Sequence, residues 1–166
     1  MGLEVFVSLL YFLNKLLLSL EKKTGWVIGI LASATSLVYF LWLNSYIIAV
    51  LEGGVLLLML YGFLNHSKKF RAELLAYFLI AAIMGYLLFT LEESTWLEFI
   101  LSITFLLAIH SLASHKWILG WLFMGVSHVL LALFTFQKEQ YFFAVMQICS
   151  AGVAVYAISK NRQRSR

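Results

Sequence analysis

A chain of 166 residues that is 63% hydrophobic and 12% charged, with a mean hydropathy of +0.92 and no proline, lacks the polar surface of an ordinary water-soluble domain. Its net charge of +4 comes from lysines and arginines set between apolar runs, so they read as topology signals and not as a nucleic-acid patch. The runs do not alternate, which in a bilayer leaves α-helices, whose backbone polar groups are satisfied within the segment.

About 20 apolar residues cross the ~30 Å of a hydrocarbon core. Seven stretches qualify: 3–20, 24–43, 46–64, 72–91, 96–114, 116–136 and 140–159. The first lacks a basic leader and a small-residue cleavage site and reads as a retained helix, ending at Glu21, Lys22 and Lys23. The second opens at Trp26 and carries Gly29, Ser33 and Ser36 on one face. The third runs from Tyr46 through Glu52 to Tyr61 and Gly62, and the fourth holds Ala72, Ala76, Ala81, Ala82 and Gly85. Glu92 to Thr95 lead into the fifth, which contains His110. The sixth carries Trp117, Gly120, Met124, Ser127 and His128. The seventh holds Tyr141, Gln147 and Tyr156 before a basic tail from Lys160 to Arg166. Cys149, alone of its kind, excludes an intramolecular disulfide and reads as a small packing residue. Trp26, Trp42, Trp96, Trp117 and Trp121 mostly mark segment ends and read as interfacial belt residues.

Two parts of the chain match each other. Leu3, Glu4 and Ser8 fall on Leu97, Glu98 and Ser102. Laying Trp26 on Trp117 pairs Gly29 with Gly120 and Ser36 with Ser127. After four extra residues in the second copy, Tyr46 meets Tyr141, Ala49 meets Ala144, Glu52 meets Gln147 and Tyr61 meets Tyr156. The expected architecture is an all-α integral membrane protein of seven transmembrane helices in a 3+1+3 arrangement. Residues 1–66 form a first triplet, 67–94 a linking helix, and 95–166 a second triplet with a basic tail. The single linking helix makes the triplets parallel repeats, related by a pseudo-two-fold axis along the membrane normal, with a site expected between them. Seven crossings put eleven of the twelve basic residues on one side, with Lys15 snorkelling there and Lys138 alone opposite. The N-terminus is then outside and the C-terminus cytoplasmic, in a cell membrane.

Glu52 lies ~9 Å along the third helix from Tyr46, away from either loop, where an ionisable side chain marks a functional site. A carboxylate there either holds a proton or meets a cation, and no lysine or arginine lies at its depth in the linear reading. Gln147, at the matched depth, presents a second long hydrogen-bonding side chain, although amides also serve simply to join membrane helices. Ser36 and Ser127 match across the copies, and His128 lies beside Ser127 in mid-helix. The candidate substrate-binding set is therefore Ser36, Glu52, Ser127, His128 and Gln147. No metal-ligand spacing, glycine-rich phosphate loop or nucleophile elbow is present, so neither an enzyme, a metal site nor a cofactor is expected. A retinal protein would need a lysine within the last helix, and none lies between Tyr141 and Ser159.

Trp26 opening a helix, Tyr46 six residues before Glu52, then Tyr61-Gly62, with Trp117, Tyr141, Gln147 and Tyr156 in the second half, resembles the PnuC-type vitamin transporters. That family is similar in architecture to the SWEET sugar transporters. The resemblance implies three helices, a linking helix and three more, moving solutes such as nicotinamide riboside, thiamine or riboflavin by facilitated diffusion. Glu52 stands where the family has glutamine, Phe63 where it has tryptophan, and Ala157 where it has glycine. A carboxylate in place of an amide points to a cationic solute or to proton coupling. The expected partners are a small-molecule substrate and the lipid bilayer, with a homo-oligomer left open and no nucleic acid. The competing expectation is a non-transporting membrane subunit or scaffold of a larger complex, docked through the basic tail.

Overall fold

The computed structural model describes residues 2–42, 46–66, 73–89, 96–137, 139 and 141–164. Lys68, Lys69, Arg71, Ala72, Glu92, Glu93, Lys138 and Arg166 lie outside the described residues, as do the side chains of Leu3, Glu4, Tyr46, Ala76, Glu98 and Arg164. The described chain is all-helical: α1 (Gly2–Ser19), α2 (Lys23–Trp42), α3 (Tyr46–Asn65), α4 (Glu73–Phe89), α5 (Trp96–Ala113), α6 (Trp117–Gln137) and α7 (Tyr141–Arg164). Three helices in it, Lys23–Trp42, Trp117–Gln137 and Tyr141–Gln163, are long and apolar enough to cross a membrane, while Val5–Ser19, Ala49–Asn65 and Phe99–Ala113 are shorter apolar helices. The last helix continues into the basic tail, past the end expected from apolarity alone.

Six helices close into a ring. α1 packs on α2, α2 on α3, α3 on α5, α5 on α6, α6 on α7, and α7 returns to α1, while α4 touches α3 and α5. The inside is a continuous cluster that includes Leu18, Trp26, Leu58, Met59, Leu106, Ile109, Leu112, Trp121 and Met124. Leu9, Leu31, Val38, Leu133, Phe142 and Ile148 are instead exposed, an apolar outer surface that water would not solvate well.

Local chemistry sets the turns. After α1, Glu21 N–H donates to Leu18 O and Lys22 N–H to Leu17 O; after α5, His115 donates to Leu112 O and Lys116 to Ser111 O. Both are Schellman ends, and both place a non-glycine residue at left-handed φ, 57° at Glu21 and 60° at His115. The following helices then start close by, because a Cβ on Gly25 would stand 2.9 Å from Leu18 N and one on Gly120 2.9 Å from Leu112 N. Gly62 has a different purpose: the Trp26 ring occupies the space of its missing Cβ.

Burial recurs at like spacings. On α2, Gly25, Trp26, Gly29, Ala32 and Ser33 are buried, and on α6 Gly120, Trp121, Met124, Ser127 and His128 are buried at the same intervals. Ala49, Val55 and Met59 of α3 and Ala144, Ser150 and Ala154 of α7 are likewise buried. Trp117 and Trp121 are one helical turn apart, and Trp121 is the buried one.

Three further expectations change. Trp26 and Trp121 are core residues and not belt residues, whereas Trp42 and Trp96 are exposed. Cys149 is exposed on α7 and packs no core. Lys15 does not snorkel to the helix end; it is 3% exposed, inside the ring.

Candidate functional site

α1 carries a polar stripe at helical spacing, Ser8, Tyr11, Asn14, Lys15 and Ser19, and this face turns inward. Asn14 Nδ2 donates to Gly25 O at 2.8 Å, fastening α1 to the start of α2. One turn earlier, the Tyr11 hydroxyl donates to Glu52 Oε2 on α3. Ser33 Oγ of α2 lies 3.3 Å from that hydroxyl, placed to donate to it, and Ser36 is within hydrogen-bonding reach of both Tyr11 and Glu52. A carboxylate from α3 is thus held by hydroxyls from α1 and α2. Side chains of all three helices meet at one point.

The second half has its own polar pair. Gln147 Oε1 on α7 accepts from His128 Nδ1 on α6 at 2.7 Å. That bond fixes the ring, and it leaves Nε2 buried without a hydrogen-bond partner. The Phe105 ring of α5 meets the imidazole edge-on, with centroids 6.1 Å apart. α1, α2 and α3 thus hold a hydroxyl–carboxylate group, and α5, α6 and α7 an aromatic–imidazole–amide group.

Lys15 links them electrostatically. Its Nζ lies 5.2 Å from the centroid of the Tyr11 ring, and its charge acts on both Glu52 and His128. A lysine absent at Glu52's depth in the linear reading is therefore supplied by α1.

Of the five expected residues, Ser36 joins Glu52 and His128 joins Gln147, while Ser127 stands apart. Ser127 is fully buried, and its hydroxyl donates to Phe123 O of its own helix at 2.7 Å and not to the polar pair beside it. Tyr11, Lys15 and Ser33 are the members that the sequence reading left out. Their signal was present in the period of the α1 stripe, and for Ser33 in its place three residues before Ser36. His110 and His115 lie elsewhere: His110 stacks on Tyr61 with centroids 6.3 Å apart, and His115 Nε2 is 3.0 Å from Asn65 O. A separate apolar groove of about 310 Å³, lined by Val129, Leu133, Phe136 and Ile148 among others, lies on the outer side of α6 and α7, away from these polar groups.

Set against known proteins, the chain matches no family model, no curated protein and no solved structure.

Proposed function

We propose that the chain is a membrane transporter for a small vitamin or nucleoside-like solute, working by facilitated diffusion through a site between two helix triplets, in the manner of the PnuC-type transporters that it resembles. In this reading the helices form a 3+1+3 pair of parallel repeats about an axis along the membrane normal. The carrying observation is the correspondence of the two polar groups: Tyr11–Ser33–Glu52 and Phe105–His128–Gln147 occupy equivalent positions in a closed ring. Buried polar side chains amid apolar helices are costly unless they serve packing or a solute, and a matched pair facing one interior favours the solute.

The ring contacts support the repeat as well. Exchanging α1, α2 and α3 for α5, α6 and α7 maps each contact of the ring onto another, and α4 is left as the link. Its two seams are closed by equivalent bonds, Asn65 Nδ2 to Ala113 O at 2.8 Å and Lys160 Nζ to Ser19 O at 3.2 Å. These bonds gather the ends of α1, α3, α5 and α7 on one face, where Lys22, Lys23, Lys116 and Lys160 also fall. By the distribution of positive charge that face is cytoplasmic. The carboxylate takes the place of an amide in the resembled family, and Lys15 of α1 lies over the ring of the tyrosine that bonds it.

Uptake of labelled nicotinamide riboside, thiamine, riboflavin and simple sugars into proteoliposomes tests the reading. Saturable entry of at least one, faster than into empty liposomes and in either direction, is expected. Entry of none removes the transporter assignment.

A further inference from the structure

His128 is bonded through one ring nitrogen and bare at the other. It sits about three turns into α6 and is fully buried. Nδ1 donates to Gln147 Oε1 at 2.7 Å, which puts the proton of the neutral ring on Nδ1 and leaves Nε2 a lone-pair acceptor. That acceptor is buried and meets no hydrogen-bond partner. The ring cannot turn to find one without giving up Gln147, and Phe105, which meets it edge-on, has no polar atom to offer. Glu52 differs, because the Tyr11 hydroxyl already donates to it.

A buried acceptor left unmet is costly, and among apolar helices it points to a ligand that completes it. The side chains that flank it leave access: Tyr11, Glu52, Phe105 and Gln147 are only half-buried, each keeping surface that a water molecule can reach. We infer that His128 Nε2 accepts a hydrogen bond from the solute, and that the site selects solutes whose planar head carries an N–H, such as a carboxamide, an amino-substituted ring or a cyclic imide. In such a head the N–H lies in the plane, so its edge meets Nε2 while its apolar face meets Phe105. A sugar hydroxyl has further hydroxyls around it that Phe105 would leave unmet. Gln147 is then a positioning residue, acting through His128 by fixing which nitrogen holds the proton. The inference rests on the transporter reading and names the feature of the solute that this half of the site reads; nicotinamide riboside, thiamine and riboflavin each carry it.

Matched pairs test it, with the full chain in lipid nanodiscs for binding and in proteoliposomes for uptake. Nicotinamide riboside is compared with 3-acetylpyridine riboside, thiamine with 4-deaminothiamine, and riboflavin with 3-methylriboflavin; each relative keeps the charge of its parent and loses the N–H. In at least one pair the parent is expected to bind at least about 10-fold more tightly, the effect of leaving a buried acceptor unmet. His128→Phe keeps a ring, removes the acceptor and should abolish the preference. Nitrogen-15 NMR of the imidazoles, with the His128→Phe spectrum to identify the signal, should place the proton on Nδ1. Should His128→Phe fail to fold, the signal is identified by its change on adding the parent solute, which the relative should not produce. A Gln147 amide turned the other way round would instead put the proton on Nε2. A proton there, equal affinity within every pair, or a preference that survives His128→Phe overturns the inference and leaves Nε2 to a buried water only. N–H preference without uptake overturns the transporter reading alone. Uptake of any of these solutes or of a simple sugar, without N–H preference, overturns the inference alone, and neither binding nor entry of any of them overturns both.

Discussion

The most direct check on the interior is a double-mutant cycle between Lys15 and Glu52. Lys15 Nζ lies over the Tyr11 ring whose hydroxyl bonds Glu52, and if both groups are ionised, two unit charges about 7 Å apart would attract by about 2 kcal/mol at an effective dielectric near 20. Lys15→Met keeps the length and apolar body of the side chain; Glu52→Gln keeps an acceptor for the Tyr11 hydroxyl. With both groups ionised, each single change leaves the opposite charge buried without compensation and is expected to destabilise the fold by ~2 kcal/mol or more. The double change removes both charges and should cost less than the sum of the two, by a coupling of about 2 kcal/mol. Glu52→Ala should cost ~1 kcal/mol beyond Glu52→Gln, the usual worth of an interhelical hydrogen bond among membrane helices. Reversible unfolding in mixed micelles, followed by circular dichroism as SDS is titrated, measures all four corners. Additivity of Lys15→Met and Glu52→Gln to within ~0.5 kcal/mol would mean that the two groups do not act on each other as charges.

The glycines give an opposed pair: Gly62→Ala drives a methyl into the Trp26 ring and should cost ~1–3 kcal/mol, whereas Gly53→Ala, with open space at its Cβ, should stabilise α3 by ~0.5–1 kcal/mol in the same titration. Glu21→Gly relieves a left-handed residue at the end of α1 and should stabilise by ~1 kcal/mol, read as a shift of the unfolding midpoint. In a Cys149→Ser background, Glu139→Cys and Gln163→Cys should react with a membrane-impermeant maleimide from opposite faces of sealed vesicles; reaction of both from one face would remove the seven-span topology.

The helices were legible because their ends are written in charges and small polar residues: each helix begins or ends within a few residues of the break expected for it, apart from α7. α7 runs on because Lys160 and Asn161 bond backward and sideways, Asn161 Nδ2 to Ala157 O and Lys160 Nζ to Ser19 O, so the basic tail is tied into the fold. The depth of the tryptophans was less legible, because residue identity carries no depth and only burial separates Trp121 from Trp117 one turn earlier. The site was half legible. Glu52 and Gln147 stand out as polar residues in apolar runs, yet Tyr11 and Lys15 hide in the first helix, where a tyrosine reads as apolar and a lysine near an end reads as an anchor. What distinguishes them is the period: Ser8, Tyr11, Asn14, Lys15 and Ser19 share one face, and a polar face on an otherwise apolar helix must turn toward protein or water.

The two seams between triplets are alike in their bonds and unlike in their packing. At the basic end each is closed by one side chain on one carbonyl, Asn65 on Ala113 and Lys160 on Ser19, and His115 adds a second bond to Asn65 only at the α3–α5 seam. That seam is also backed by α4: Ile83 fills the space beside Gly54, and Leu106 of α5 lies behind it. Among the described residues no further helix packs against the α7–α1 seam, and the small residue Ala154 of α7 lies against Gly125 of α6. A seam without a helix behind it parts at less cost than a backed one, because fewer contacts are forfeited. If the proposed carrier rocks, the α3–α5 seam would be its hinge and the α7–α1 seam its opening edge, so a disulfide locking α7 to α1 should abolish transport while one locking α3 to α5 should not.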